Sequence, residues 1–472
     1  MVALLLVFGL PVLLALSAIR FAARSAPAHR PYHLYKEPLL MGAISAATGL
    51  VILSGAAWMT HHDGHHDDFG SAMTELVGMF AGGLLLRGAA PFLIWILATL
   101  DRCTPRFPPA LRPATRQLGG GLARTSAGMA AAMTLTGIAT AVLIVAPAVE
   151  SQDRADHRPQ GRPGATTINV SAGQQASSVR AAIEQELPGV PLLPADTDDL
   201  FSSVIDLEFG PDTYVGDETL LHHLTGNPAT PYDPATAVLV SSEVKGEISA
   251  LIQYDLPSPG TAMDLRVIAV PPPEPRWEVM FVPEEAARER GITLTPDRFI
   301  IDPAHHRLSP TEQERLQTRL AGLATVHVER GFHPTTTWTY AVAALFLIAT
   351  AATVWASRSP AAYRILRRGS AGSPRLLTAA RTLTTSLCAT ALGAVTGAVI
   401  GLLLLWPATT SSAWDPPPRA PFNTPWPAIT ALLLALPILT AATAALIPPT
   451  WFTNPRDTLL RSRRRRSPAP RT

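Results

Sequence analysis

Apolar residues along this chain gather into seven long runs: Val2–Ile19, Pro38–Met59, Leu76–Leu100, Ser126–Val149, Thr335–Ala356, Thr382–Trp406 and Pro427–Thr450. A helix needs about 20 predominantly apolar residues to cross a bilayer, so each run predicts a membrane-spanning helix. All but the third lack charge, and the third carries Arg87 near its middle. A charge at that depth is costly, so Arg87 is expected to face the protein interior, a water-filled cavity, or the interface by snorkelling. The first run has no basic residue ahead of it, and Arg20, Arg24 and Arg30 follow it. It therefore reads as a retained helix with its N-terminus outside, not as a cleaved signal.

Between the runs, Lys and Arg are segregated. Segments 20–37, 101–125, 357–381 and the tail after 450 hold 4, 5, 6 and 7 of them. The alternate segments 60–75, 150–334 and 407–426 hold 0, 14 and 1, although the middle one is by far the longest. Basic density on short loops marks the cytoplasmic side. The chain is thus expected to be a multi-pass protein of the plasma membrane, with its N-terminus outside and its C-terminus in the cytoplasm. Trp338, Trp355, Trp406, Trp426 and Trp451 sit at or near the ends of runs, as interfacial tryptophans do. Only 16% of the residues are charged, against about 25% in soluble domains.

Residues 150–334 form one large polar insertion, with 28 Asp and Glu against 14 Lys and Arg. The two cysteines, Cys103 and Cys388, fall outside it, so it folds without disulfides. Thr167–Val170, Ala237–Val240, Leu265–Val270, Val279–Val282 and Thr325–Val328 read as strands. Ser177–Leu187 has helical spacing, and Ser309, Pro310 and Glu312 form a capping box that opens a helix over Thr311–Leu323. The expected fold class is an α-helical polytopic membrane protein of about seven transmembrane helices with one large α+β extracytoplasmic domain.

No metalloprotease, nucleophile-elbow or paired-cysteine metal pattern occurs, and no enzyme is expected. His222-His223 and His305-His306 are tandem pairs whose neighbours rarely point into one site, and surface positions are expected for them. The loop around His61, His62, His65 and His66, with three aspartates, offers weak metal-ligand candidates of the imidazole and carboxylate type. In the sixth run, Gly393, Gly397 and Gly401 make a tandem GxxxG that predicts close contact with another helix or a second subunit.

Four local stretches, in order, carry a family resemblance: Leu122-Ala123-Arg124-Thr125-Ser126, Val282-Pro283-Glu284-Glu285-Ala286-Ala287-Arg288, Val328-Glu329-Arg330-Gly331-Phe332 and Gly369-Ser370-Ala371-Gly372-Ser373-Pro374-Arg375. With the order helix, large domain, three helices, they resemble the permease unit of FtsX/MacB-type ABC transporters over residues 122–472. The resemblance implies a first helix over 122–149, an outer domain over 150–334, a three-helix bundle over 335–450 and a basic cytoplasmic tail over 451–472. Residues 1–121 would be a three-helix remnant or linker of a first permease unit. It also implies a cytoplasmic coupling loop, 357–381, in which Tyr363, Arg364, Ile365, Leu366, Arg367, Arg368 and Arg375 dock a partner ATPase. No phosphate-cradling GxxxxGK[ST] loop is present, so no cofactor is expected here and ATP would be bound by a separate ATPase subunit. Further partners implied are a second permease copy or paralogue and the lipid bilayer, with no nucleic acid. The rival from another class is a non-transport scaffold or regulator whose outer domain binds a cell-envelope partner.

Overall fold

The computed structural model describes residues 36–61, 69–102, 122–171, 174–197, 200–204, 212–242, 246–254, 262–274, 277–289, 291, 294–357, 374–410 and 419–446. The first apolar run and Trp451 lie outside these residues. The chain divides into a helical unit, built from residues flanking the insertion, and a second unit, His157–His333.

Six long helices make up the helical unit: α1 Lys36–Met59, α2 Phe69–Arg102, α3 Leu122–Asp156, α8 Thr337–Ser357, α9 Pro374–Ala408 and α10 Trp426–Leu446. All six are long and apolar enough to cross a membrane, and the chain is a multi-pass membrane protein. Several run past their apolar runs. α3 continues beyond Val149 through an i,i+4 pair of Glu150 and Arg154, and α9 starts at Pro374, eight residues before Thr382.

Helix directions follow from which residues meet. Gly42 of α1 meets Gly88 of α2, and Gly49 meets Ala81, so these helices are antiparallel. On α2, Gly78 meets Leu404 of α9 and Gly82 meets Ile400, again antiparallel. On α3, Met133, Gly137 and Ile144 meet Gly393, Gly397 and Gly401 of α9 in rising order, so α3 and α9 are parallel. Trp338 Nε1, in the first turn of α8, donates to Glu150 Oε2 near the end of α3, at 3.4 Å. The directions of these helices alternate along the chain, as a path that crosses a membrane repeatedly requires.

α3 and α9 form the centre. Met129, Met133 and Ala130 of α3 pack with Leu93 and Ala90 of α2 and Ala389 of α9. Leu143 and Ala139 of α3 pack with Leu432 of α10 and Phe346 of α8. α1, α8 and α10 keep apolar side chains such as Leu40, Ile44, Leu347, Leu434 and Ile438 on the outside, where lipid replaces water as the partner. Arg87 lies on an exposed face of α2 and not in the protein interior.

The second unit holds strands β1 Thr166–Val170, β2 Leu193–Ala195, β3 Leu200–Val204, β4 Asp212–Gly216, β5 Thr236–Val240, β6 Gly246–Tyr254, β7 Ala262–Val270, β8 Val279–Pro283, β9 Arg298–Ile301 and β10 Ala324–Val328. Its helices are α4 Ala176–Glu186, α5 Glu218–Thr225, α6 Glu284–Glu289 and α7 Pro310–Arg319. One antiparallel sheet has the order β10-β1-β9-β2, and a mixed sheet has the order β3-β6-β7-β5-β8-β4.

The period of two along a strand decides the packing. Val238, Val240, Val279 and Phe281 face Leu220, Leu221 and Leu224 of α5, while Ala237, Leu239, Met280 and Val282 face Ala286 and Ala287 of α6. Both faces of β5 and β8 are buried, which is why they read as unbroken apolar runs. The small sheet buries Ile168 and Phe299 against Val179 and Ile183 of α4 and Leu316 of α7. Ser309 and Glu312 form the reciprocal capping box at the start of α7, with Pro310 in the first turn.

Candidate functional site

The glycine stripe of α9 is filled within the chain. A Cβ at Gly397 would stand 2.8 Å from Gly137 Cα and closer still to the Gly137 carbonyl oxygen; one at Gly401 would stand 2.9 Å from Ile144 Cβ. Gly393 makes the same close approach to the Met133 carbonyl. The two helix backbones touch along three successive turns, an approach that only small residues permit. Because α3 occupies it, this face is not open to a second subunit.

At one end of the helical unit, Arg419 is the fastener. Its guanidinium donates to the carbonyls of Thr60, just past α1, at 3.0 Å and of Trp406, on α9, at 3.3 Å. It also lies 4.8 Å over the Trp406 ring, which His61 meets edge-on with the ring centroids 4.2 Å apart. Burial pulls the Arg419 guanidinium below its ordinary value. Beside it, the Ala420 N–H donates to Gln152 Oε1 at 2.9 Å, which ties the end of α3 to the same group. Two carbonyls at helix ends, which no intrahelical donor reaches, are satisfied in this way.

The domain's first and last residues are clasped by Glu329, which is 4% exposed. Its Oε2 accepts the Gln160 N–H at 2.8 Å and its Oε1 the Gly331 N–H at 2.7 Å. Its backbone is tied as well, because Gly164 N–H donates to the Glu329 carbonyl and Glu329 N–H to that of Ala165. Gly331 adopts φ 73°, a left-handed conformation that suits glycine. His157 Nε2 stands 3.9 Å from Oε1 and His327 Nε2 3.7 Å from Oε2. Above the carboxylate opens a cleft of about 420 Å³, lined by His157, Arg158, Gln160, His327, Glu329, Arg330 and His333 among others.

A second buried polar group joins the two sheets. His223 is almost fully buried on α5, against the surface position expected for it, and its Nδ1–H donates to Asp302 Oδ2 at 2.7 Å. Arg162 Nη1 stands 3.6 Å from the same oxygen. Burial lowers the His223 pKa, against the pull of Asp302. For Asp302, burial alone raises the carboxyl, but the His223 hydrogen bond, the Ala304 N–H and nearby positive charge carry it below the usual range. Arg298 of β9 lies 5.0 Å over the Tyr214 ring of β4 and donates to its hydroxyl. His222, by contrast, is part-exposed and bonds the Thr230 carbonyl at 3.1 Å. His305 is exposed and His306 half-buried.

Of the residues singled out by sequence, Gly393, Gly397 and Gly401 are brought together with α3. Arg375 is exposed in the first turn of α9. Tyr363, Arg364, Ile365, Leu366, Arg367 and Arg368 lie outside the described residues, as do His62, His65 and His66; His61 caps the turn after α1. Among the described residues, no group of three or more His, Cys, Asp or Glu side chains is placed to hold a metal ion. Glu329 was visible only as part of Val328–Phe332, because backbone N–H groups are its partners. Arg419 had one signal, being the single basic residue of segment 407–426. No family model and no curated protein matches the chain.

Proposed function

We propose that the chain is the permease subunit of an FtsX/MacB-type ABC transporter, which couples ATP hydrolysis by a separate subunit to movement of an extracytoplasmic domain. The observation that carries this reading is the route between loop 357–381 and the domain. α9 begins at Pro374, inside that segment, so residues 374–381 are its first turns and not loop; it is seated along the glycine seam on α3, the helix whose chain continues into the domain at His157. A push at the foot of α9 therefore reaches α3 through backbone contact. The charge pattern supports loop 357–381 on the cytoplasmic side, where an ATPase would bind, and the acidic domain on the other. On this reading the substrate is a lipid, lipoprotein, peptide or drug captured outside the cell, and the chain itself performs no hydrolysis.

The test is affinity purification of the full chain from its own membranes, followed by assay of the eluate for ATPase activity. An ATPase is expected to co-purify. Ile365→Ser with Leu366→Ser removes two apolar anchors, each worth about 1.5–3 kcal/mol when fully buried, and is expected to weaken association at least tenfold without affecting insertion. Headgroup contact alone would depend on the arginines and tolerate this change. Unchanged ATPase yield in the double variant would overturn the docking assignment.

A further inference from the structure

We infer that the cleft above Glu329 binds the phosphate of an anionic phospholipid headgroup. The insertion 150–334 carries twice as many acidic as basic residues, 28 against 14. The cleft reverses that ratio, since its lining holds two arginines, Arg158 and Arg330, to a single acid, with His157, His327 and His333 beside them. That acid is already spent as an acceptor, with one backbone N–H on each oxygen, and is recessed beneath the cationic rim. The two arginines keep donors to spare, whereas His157 and His327 face Glu329 at 3.9 and 3.7 Å and His333 Nδ1 bonds the Gly331 carbonyl at 2.8 Å. Arg158 is exposed and engages no carboxylate among the described residues. His157 Nε2 is buried in the wall and makes no hydrogen bond. Arg330 gives one of its five N–H groups to Gln313 Oε1. Forked guanidinium donors with imidazoles beside them match a phosphate, whose oxygens accept several charge-assisted hydrogen bonds at once.

Chain connectivity selects the lipid form of that phosphate. His157 directly follows Asp156, the last residue of α3, and His333 stands four residues before Thr337, the first residue of α8. Four residues span at most about 14 Å when fully extended. The polar headgroup layer is itself roughly 5–8 Å deep on each side of the hydrocarbon core. The cleft is thus tethered by both of its chain segments to the surface where lipid phosphates lie, and basic residues there attract anionic lipids. This inference needs only that the chain spans a membrane, so it can stand or fall apart from the transport reading.

The experiment is a titration of the full chain in an uncharged detergent with dioctanoyl phosphatidylglycerol, dioctanoyl phosphatidylcholine or inorganic phosphate, with bound lipid counted by native mass spectrometry. Saturable binding of phosphatidylglycerol is expected, with neither phosphatidylcholine binding equally nor inorganic phosphate displacing it at equal concentration. Arg158→Ala with Arg330→Ala is expected to weaken binding at least about tenfold, the size appropriate to two basic residues at an anionic headgroup. Arg158→Lys with Arg330→Lys should fall between. As a charge control, Arg180→Ala with Arg288→Ala removes two exposed arginines that pair with Glu184 and Glu284, and should change nothing. Hydrogen exchange over β1, β9 and β10 checks the fold; should the double Ala variant lose protection, Arg158→Gln alone replaces it and must still weaken binding. Equal affinity in the cleft and control variants, equal binding of phosphatidylcholine, or displacement by inorganic phosphate would each overturn the assignment.

Discussion

Replacing Gly397 by Leu tests whether the α3–α9 seam holds the helical unit together. A Cβ at this position meets Gly137 Cα at 2.8 Å and Gly137 C at 2.9 Å. Carbon atoms rest at about 3.5–4.0 Å, so even the first atom of the side chain must push the helices apart by roughly 1 Å. The atoms in the way are backbone and cannot swing aside as a side-chain tip would. Overpacking of this kind costs about 1–3 kcal/mol, and separation also loosens the flanking contacts at Gly393 and Gly401. At about 2–4 °C per kcal/mol for a unit of this size, the melting midpoint should fall by roughly 5 °C. Gly55 on α1 supplies the control, because a Cβ there meets nothing within 4 Å. The assay is thermal unfolding of both Leu variants of the full chain in one detergent, with membrane insertion checked beforehand. Equal midpoints for Gly397→Leu, Gly55→Leu and the unaltered protein would refute the reasoning.

A reporter active only outside the cytoplasm should work when fused near Gly64, Gly246 or Ser412 and fail near Ala28, Gly119 or Gly369; a cytoplasmic result at Gly246 would reverse the whole arrangement. The buried His223 sets a pH response. Its folded pKa is lowered, so as pH falls below about 6.5 the unfolded chain takes up a proton that the folded domain refuses, and stability drops. Asp302, also lowered in the fold, adds stability that persists above the ordinary carboxylate range and is lost only in stronger acid. Hydrogen exchange of α5 and β9 in the full chain, corrected for intrinsic rate, should therefore show weaker protection at pH 5.5 than at 7.5. His223→Gln should flatten that difference while costing about 1–3 kcal/mol through the disturbed partner of Asp302.

The membrane helices were legible because hydropathy acts locally, over about one helix length. Their ends were not, since Arg375 and Arg381 continue α9 and Glu150 and Arg154 continue α3 outside any apolar window. In the domain, β5 and β8 announced themselves as unbroken apolar runs. β4, with Asp212 and Thr213, and β9, with Arg298, did not, because each becomes a strand through partners far away in sequence. The same distance hid the buried groups: His223 finds Asp302 79 residues away, and Glu329 finds Gln160 169 residues back. A glycine repeat shows that a helix can be approached closely. It does not show by which helix, and here the answer lies in Gly137 on α3.

The placing of β1 and β10 has a mechanical consequence. These strands begin and end the domain, and they lie side by side, antiparallel, with β10 at the edge of its sheet. When the two tethers move together, the load passes into a closed ladder and the domain travels as one piece. When they are drawn apart, tension falls first on the Glu329 bonds and then on the pair Thr166–Val328, next Thr167–His327, one rung at a time. A zipper pulled from its open end yields under far less force than strands slid lengthwise. The domain is thus stiff toward concerted displacement and compliant toward separation of its two roots, and Glu329 is the first tooth.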